Sequence, residues 1–169
     1  MVQISSYRQM PTILAADVAG FSALMEHDDV GTCVQIALLR REIVEPILAD
    51  NRGCLIETME SGFLAEFESP LEALRCGISI QRTLADATDR LQLRIGLNFG
   101  DAIVENIRVA ARLEAVADPG GILISGNIYD EVIGKIDARF EDRGELRLEN
   151  TSQVVRMYAV IARAGGCTF

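Results

Sequence analysis

Apolar residues run from Ile13 to Ala16 and resume at Val18, so residues 12–18 read as a buried strand that Gly20 ends. Residues 22–29 then have room for one or two helical turns, with Ser22 as a candidate cap. From 30 to 51 the apolar positions Val34, Ala37, Leu38, Val44, Ile47 and Leu48 approach a helical period, and Gly53 lies just past the end. Residues 55–67 read as a hairpin with its tight centre at Glu60, Ser61 and Gly62. Ser69, Pro70 and Glu72 carry the signature of a capped helix start for the segment 69–87. Alternation over 91–99 predicts a strand. After Gly100 and Asp101, 102–105 predicts a short strand turning back, and 108–117 a helix stopped by Asp118-Pro119-Gly120-Gly121. Strand 121–125, a brief helix over 127–133 capped by Ser125, and strand 154–161 complete the series.

This order predicts an α+β fold built from split strand-helix-strand units: a ferredoxin-like antiparallel sheet with helices packed on one face. A doubly wound parallel sheet fits less well, because the central hairpin is too tight to be a crossover.

The chain has 169 residues, 49% of them hydrophobic, which suits one domain with a single core. That domain is expected over 10–162, with 1–9 and 163–169 as flexible termini. A formal charge of -9 argues against general affinity for nucleic acid or anionic membranes. A nucleotide remains possible where backbone amides, arginines or a metal reverse the field. The opening residues lack the pattern of a secretion signal, and the apolar stretch around Asp17 is too short to span a bilayer, so the expected location is cytoplasmic. Cys33, Cys54, Cys76 and Cys167 lie far apart and read as reduced thiols, three of them in the core. His27 is the single histidine and reads as a solvated loop residue rather than a metal ligand.

Asp17 ends an otherwise apolar strand, a costly position unless a partner satisfies it. The turn Val18, Ala19, Gly20, Phe21 and Ser22 leads into a helix start, where amides favour phosphate. Two readings stand side by side: a seat for a metal-triphosphate, or an aspartate that caps the helix. Arg108 and Arg112, four apart, share a helical face. They can grip a phosphate chain, or they can form a solvated basic face paired with Glu105 or Glu114. Gly100 and Asp101 read as a turn.

Taken together, "TILAADVAGFSALM", "LIETMESGFLAEF", "LRIGLNFGDAIVE", "VAARLEAVADPGGILIS" and "FEDRGELRLENTSQVVRMYAV" resemble, in order and spacing, the catalytic domain of bacterial class III adenylate/guanylate cyclases. The resemblance covers about 10–160. It implies the ferredoxin-like fold and conversion of ATP or GTP to the 3′,5′-cyclic monophosphate and pyrophosphate. It also implies head-to-tail dimers and two divalent ions, Mg or Mn, held between two aspartates. Asp17 matches the first metal aspartate, Val18 to Ser22 the phosphate turn, and Arg112 the transition-state arginine.

The departures are informative. Ser61 stands at the second metal position, a degenerate one, with Glu60 in place of the usual glycine. Glu57 occupies the base-selecting position that is lysine in adenylate cyclases, and resembles the guanylate choice. Arg108 occupies the catalytic asparagine position, and most of the loop before the last catalytic helix is missing, together with the second base-selecting position. The resemblance therefore implies a cyclase with a weakened metal site, as a homodimer or as a heterodimer with a competent cyclase chain. The alternatives are a catalytically silent homology module that regulates by nucleotide binding or dimerisation, and a small-ligand sensor unrelated to nucleotides.

Overall fold

The computed structural model describes residues 10–87 and 91–161. Strand β1 (Thr12–Val18) lies inside the sheet, antiparallel to β3 (Gly62–Phe67) on one side and to β4 (Leu93–Phe99) on the other. With β2 (Cys54–Thr58), β5 (Ile122–Ser125), β6 (Arg139–Arg147) and β7 (Val154–Ile161), these form a seven-stranded sheet in the order β2-β3-β1-β4-β5-β7-β6. The β4-β5 pair is parallel and is joined across the sheet by α5 (Ile103–Val116).

The expected α+β architecture is present, but the helices lie on both faces. Alternate residues of a strand point to opposite faces. Leu14, Ala16 and Val18 enter the main core with α2 (Asp29–Leu39), α3 (Glu45–Asp50) and α4 (Pro70–Ala85). Ile13 and Ala15 point the other way and pack on Ala110 and Ile107 of α5. The element order could not reveal this division, because it depends on which side the α5 crossover takes.

Helix α4 starts as the sequence predicts, with the Ser69 hydroxyl accepting from the Glu72 amide and Pro70 in the first turn. The segment 30–51 is one continuous helix interrupted by a π-helical turn over Arg40–Val44. Pro46 explains the widening: its ring lacks an N–H and crowds the carbonyl four residues back. Arg52, not Gly53, adopts the left-handed conformation after this helix, at φ 59. Gly53 is required for space instead, since a Cβ there would lie 2.6 Å from the Phe67 ring.

Four further expectations are corrected. Ser22 does not cap α1 (Phe21–His27): Gly20, in left-handed geometry, takes that place without a side-chain bond. The short strand over 102–105 is absent, because Ile103, Val104 and Glu105 form the first turn of α5. A strand there would leave two residues to reverse into a helix at 108. The first turn instead closes through the Asn106 amide on the Ala102 carbonyl, leaving Val104 71% exposed. Cys33 and Cys54 are exposed, and only Cys76 of the described cysteines is buried. Its burial pushes the thiol up to about 12, which makes it an inert core residue. His27 ends α1 instead of lying in a loop.

Strand β6 gave no sequence signal. It is an edge strand exposed on nearly every residue, interrupted by a bulge at Gly144 with φ 82, and so lacks apolar alternation. Among the described residues, no helix is long and apolar enough to cross a membrane. The proposed termini, Cys167 and the centre of the turn before β4 lie outside the described residues.

Candidate active site

Asp17, next to last in β1, lies opposite Gly62 of β3 and Arg94 of β4. The next residue, Val18, donates its amide to the Ser61 carbonyl at 2.7 Å, so the hairpin tip is bound directly to the end of β1. A Cβ on Gly62 would lie 1.9 Å from the Ala16 carbonyl oxygen, which shows how closely the two backbones meet. The sheet therefore brings the Ser61 backbone to the end of β1, one residue from Asp17. Arg40 ties the tip from outside, its Nη2 donating to the Met59 carbonyl at 3.2 Å.

Two residues that the sequence reading did not place at this site, Arg94 and Glu114, complete the cluster. Gly96 lets α5 approach β4 so closely that the Glu114 backbone lies over it. The Glu114 side chain reaches Asp17, and Arg94 lies close enough to act on its charge. Burial, the Asp17 carboxylate and a hydrogen bond to it together hold the Glu114 proton up to about 7, with Arg94 opposing. Arg94 was visible as a charged residue on the α5 face of an alternating strand; Glu114 was visible only as a possible partner for an arginine.

Between pH 4.5, the ordinary value, and about 7, folded Glu114 keeps a proton that the unfolded chain has lost, so stability falls as pH rises through that window. Glu114→Gln, which donates at any pH, is expected to flatten the decline. Its urea midpoint should match the parent near pH 4.5 and exceed it at pH 8 by the equivalent of about 1 kcal/mol after discounting for solvent screening. Parallel pH profiles for the two proteins would contradict this account.

The remaining candidates are dispersed. In the Val18–Ser22 turn, the Val18 and Ala19 amides are already taken by the Ser61 and Gln92 carbonyls, leaving those of Gly20, Phe21 and Ser22. Glu57 is exposed on β2 beside a bulge at Leu55/Glu57, opposite Leu64 and on the same face of the sheet as Asp17. Arg108 pairs with Glu105 at 3.4 Å, and Arg112 with Glu149 at 3.5 Å. Neither arginine contacts Asp17 or Ser61 among the described residues. The Arg112 Nε is nevertheless buried without a partner.

No protein-family model matches the chain. A Rhizobium meliloti (strain 1021) protein named "Putative adenylate cyclase 3" is 36% identical over 171 residues, which is 94% of this chain and 29% of that protein. The chain thus spans less than a third of that relative. An adenylate/guanylate cyclase/hydrolase structure from Silicibacter pomeroyi is 32% identical, with TM-score 0.83, covering 91% of this chain and 97% of that one. The chain belongs to the class III adenylate/guanylate cyclase family. The guanylate cyclase domain of RhGC from Catenaria anguillulae, in complex with GTP, shares the fold at TM-score 0.77 and 17% identity, over 91% and 97% of the two chains.

For a cyclase-family domain, the metal seat is half-equipped. The Asp17 Oδ1 is buried without a partner, which suits one hard cation. A second ion has no carboxylate at Ser61, and no cluster of three metal-ligating side chains occurs among the described residues. Of the two positions that the resemblance assigns to metal, only Asp17 offers a carboxylate.

Proposed function

We propose that this domain, over 10–162, is a nucleotidyl cyclase that turns GTP or ATP into a 3′,5′-cyclic monophosphate and pyrophosphate. The ribose 3′-hydroxyl releases its proton to water as its oxygen attacks the α-phosphorus, the new 3′-O–P bond forms, and the bond to the bridging oxygen breaks as pyrophosphate leaves. The observation that carries this reading is Asp17: a carboxylate with an unpartnered buried oxygen, at the strand end beside a helix start, in a chain of this family. Asp17 would hold one magnesium or manganese ion, which supplies charge neutralisation at the phosphates when bound. Amides of Gly20, Phe21 and Ser22 are free to orient the triphosphate, while Val18 and Ala19 hold the turn in place.

In this reading Arg108 and Arg112 neutralise the charge that develops on the phosphate of a second chain's substrate, which is supported by their pairing with Glu105 and Glu149 and not with Asp17. The reading therefore expects a dimer, either of two copies or with a competent cyclase chain. Glu57 accepts hydrogen bonds from the guanine edge, which favours GTP; the Catenaria neighbour is seen with GTP as well. Exposed free thiols at Cys33 and Cys54 suit a reducing, cytoplasmic compartment.

The test is product formation from ATP and GTP with manganese, read by mass spectrometry. Cyclic GMP is expected to exceed cyclic AMP, and Arg112→Ala is expected to lose about 100-fold in turnover. Saturable GTP binding without turnover would make this a silent nucleotide-binding module. No binding and no turnover would overturn both readings.

A further inference from the structure

A cavity of about 480 Å³ opens at the end of the sheet opposite Asp17. Because β1 and β4 are antiparallel, Asp17 lies beside Arg94 at the start of β4, whereas the cavity surrounds the other end of that strand. It sits at the carboxyl ends of the parallel pair β4 and β5, where the chain enters α5 and α6 (Gly126–Val132). Crevices at such strand ends are where open sheets take small ligands, and this volume lies in the usual range.

Its polar groups are unevenly satisfied. Asn98 and Asn106 are only 6% and 2% exposed. Asn106 donates through Nδ2 to the Pro11 carbonyl, which can only accept, so its Oδ1 must be the atom facing Asn98. Asn98 therefore donates through Nδ2 to Asn106 Oδ1, at 3.1 Å, which leaves its own Oδ1 as an acceptor on the cavity lining. Glu105 Oε1, also on the lining, is buried with no partner. Asn98 Oδ1 and Glu105 Oε1 thus face one cavity as acceptors, the second carboxylate oxygen of Glu105 being paired with Arg108.

Charge narrows the choice of ligand. Asp101 and Asp130 join Glu105 on the lining, and its arginine, Arg156, is already bound to Asp142. An anion would be repelled, while Phe99 and Tyr158 offer apolar surface to a carbon body. We propose that this cavity is a second ligand site, for a small organic cation of the amine or guanidine class whose N–H groups serve Asn98 Oδ1 and Glu105 Oε1. The site lies at the other end of the sheet from Asp17, and its Glu105 also pairs through Oε2 with Arg108 at 3.4 Å.

Agmatine is a suitable probe, titrated into the full chain by calorimetry and by backbone amide NMR. Saturable binding is expected, with shifts confined to 98–106 and 125–130, and inorganic phosphate should not compete. Glu105→Gln, which keeps the shape and removes the charge, is expected to weaken binding at least about tenfold. Asp17→Asn should leave it unchanged. Absence of saturable binding, equal affinity in Glu105→Gln, or loss on Asp17→Asn would each overturn the proposal, the last by moving the cation to the cyclase cluster.

Discussion

Gly96→Ala is expected to destabilise the domain by about 3 kcal/mol and to push α5 off the sheet. The ideal Cβ would lie 2.2 Å from the Ala110 carbonyl oxygen and 2.4 Å from the Glu114 amide nitrogen. Both are backbone atoms of α5, so no side-chain rotation can relieve the overlap. Gly77 provides the contrast: its nearest neighbour, Ile122 Cδ1, would be 3.4 Å away, and the residue lies inside a helix where alanine has the better propensity. Gly77→Ala should therefore stay within about 1 kcal/mol of the parent. Urea midpoints of the two variants decide the matter, and equal midpoints would show that α5 does not rest on Gly96. The consequence for function is direct, since α5 carries Arg108, Arg112 and Glu114. A helix lifted by a methyl group would separate Glu114 from Asp17 and change the position from which the arginines reach a second chain.

The sequence exposed those features whose cause is local. The buried strand at 12–18, the hairpin, the Ser69 and Ser125 caps and the terminal strand all follow from alternation, turn residues or capping hydroxyls, and all are present. The family pattern sets Asp17 and Ser61 at one site, and in the structure the neighbour of Asp17, Val18, is bonded to the Ser61 carbonyl. What escaped depended on distant parts of the chain. Strand β6 is held by β7 and carries no apolar rhythm of its own. The first turn of α5 is helical because there is no room for a strand to return. The Glu114 contact with Asp17 requires Gly96, eighteen residues earlier, to admit the helix. Arg108 and Arg112 share a helix as expected; Arg108 pairs with Glu105, a partner the sequence reading held open, whereas Arg112 pairs with Glu149 and not with Glu114.

Ser61→Asp is expected to raise manganese affinity at least about tenfold and turnover about 100-fold, the scale on which losing one such group usually acts. The backbone is already prepared for the change. The carbonyl of residue 61 is fixed by the Val18 amide, and Gly62 is pressed against Ala16, so a carboxylate introduced there starts beside Asp17 and not on a loose loop. A serine hydroxyl is neutral and competes poorly with water for a hard divalent ion, whereas two carboxylates attract the ion and repel one another without it. The variant should accordingly be less stable than the parent in chelator and should gain more thermal stability on adding manganese, because binding to the folded state alone shifts unfolding by mass action. That thermal comparison separates metal binding from catalysis. A variant that gains manganese stabilisation but no turnover would locate the deficit at Arg108 or in the shortened loop before α5. A variant no more responsive to manganese than the parent would mean that Glu114, already bonded to Asp17, holds the carboxylate too firmly for a neighbouring aspartate to recruit it. Combining Ser61→Asp with Glu114→Gln should show whether that bond is the obstacle, since an amide donates to Asp17 without competing for the metal as a second charge.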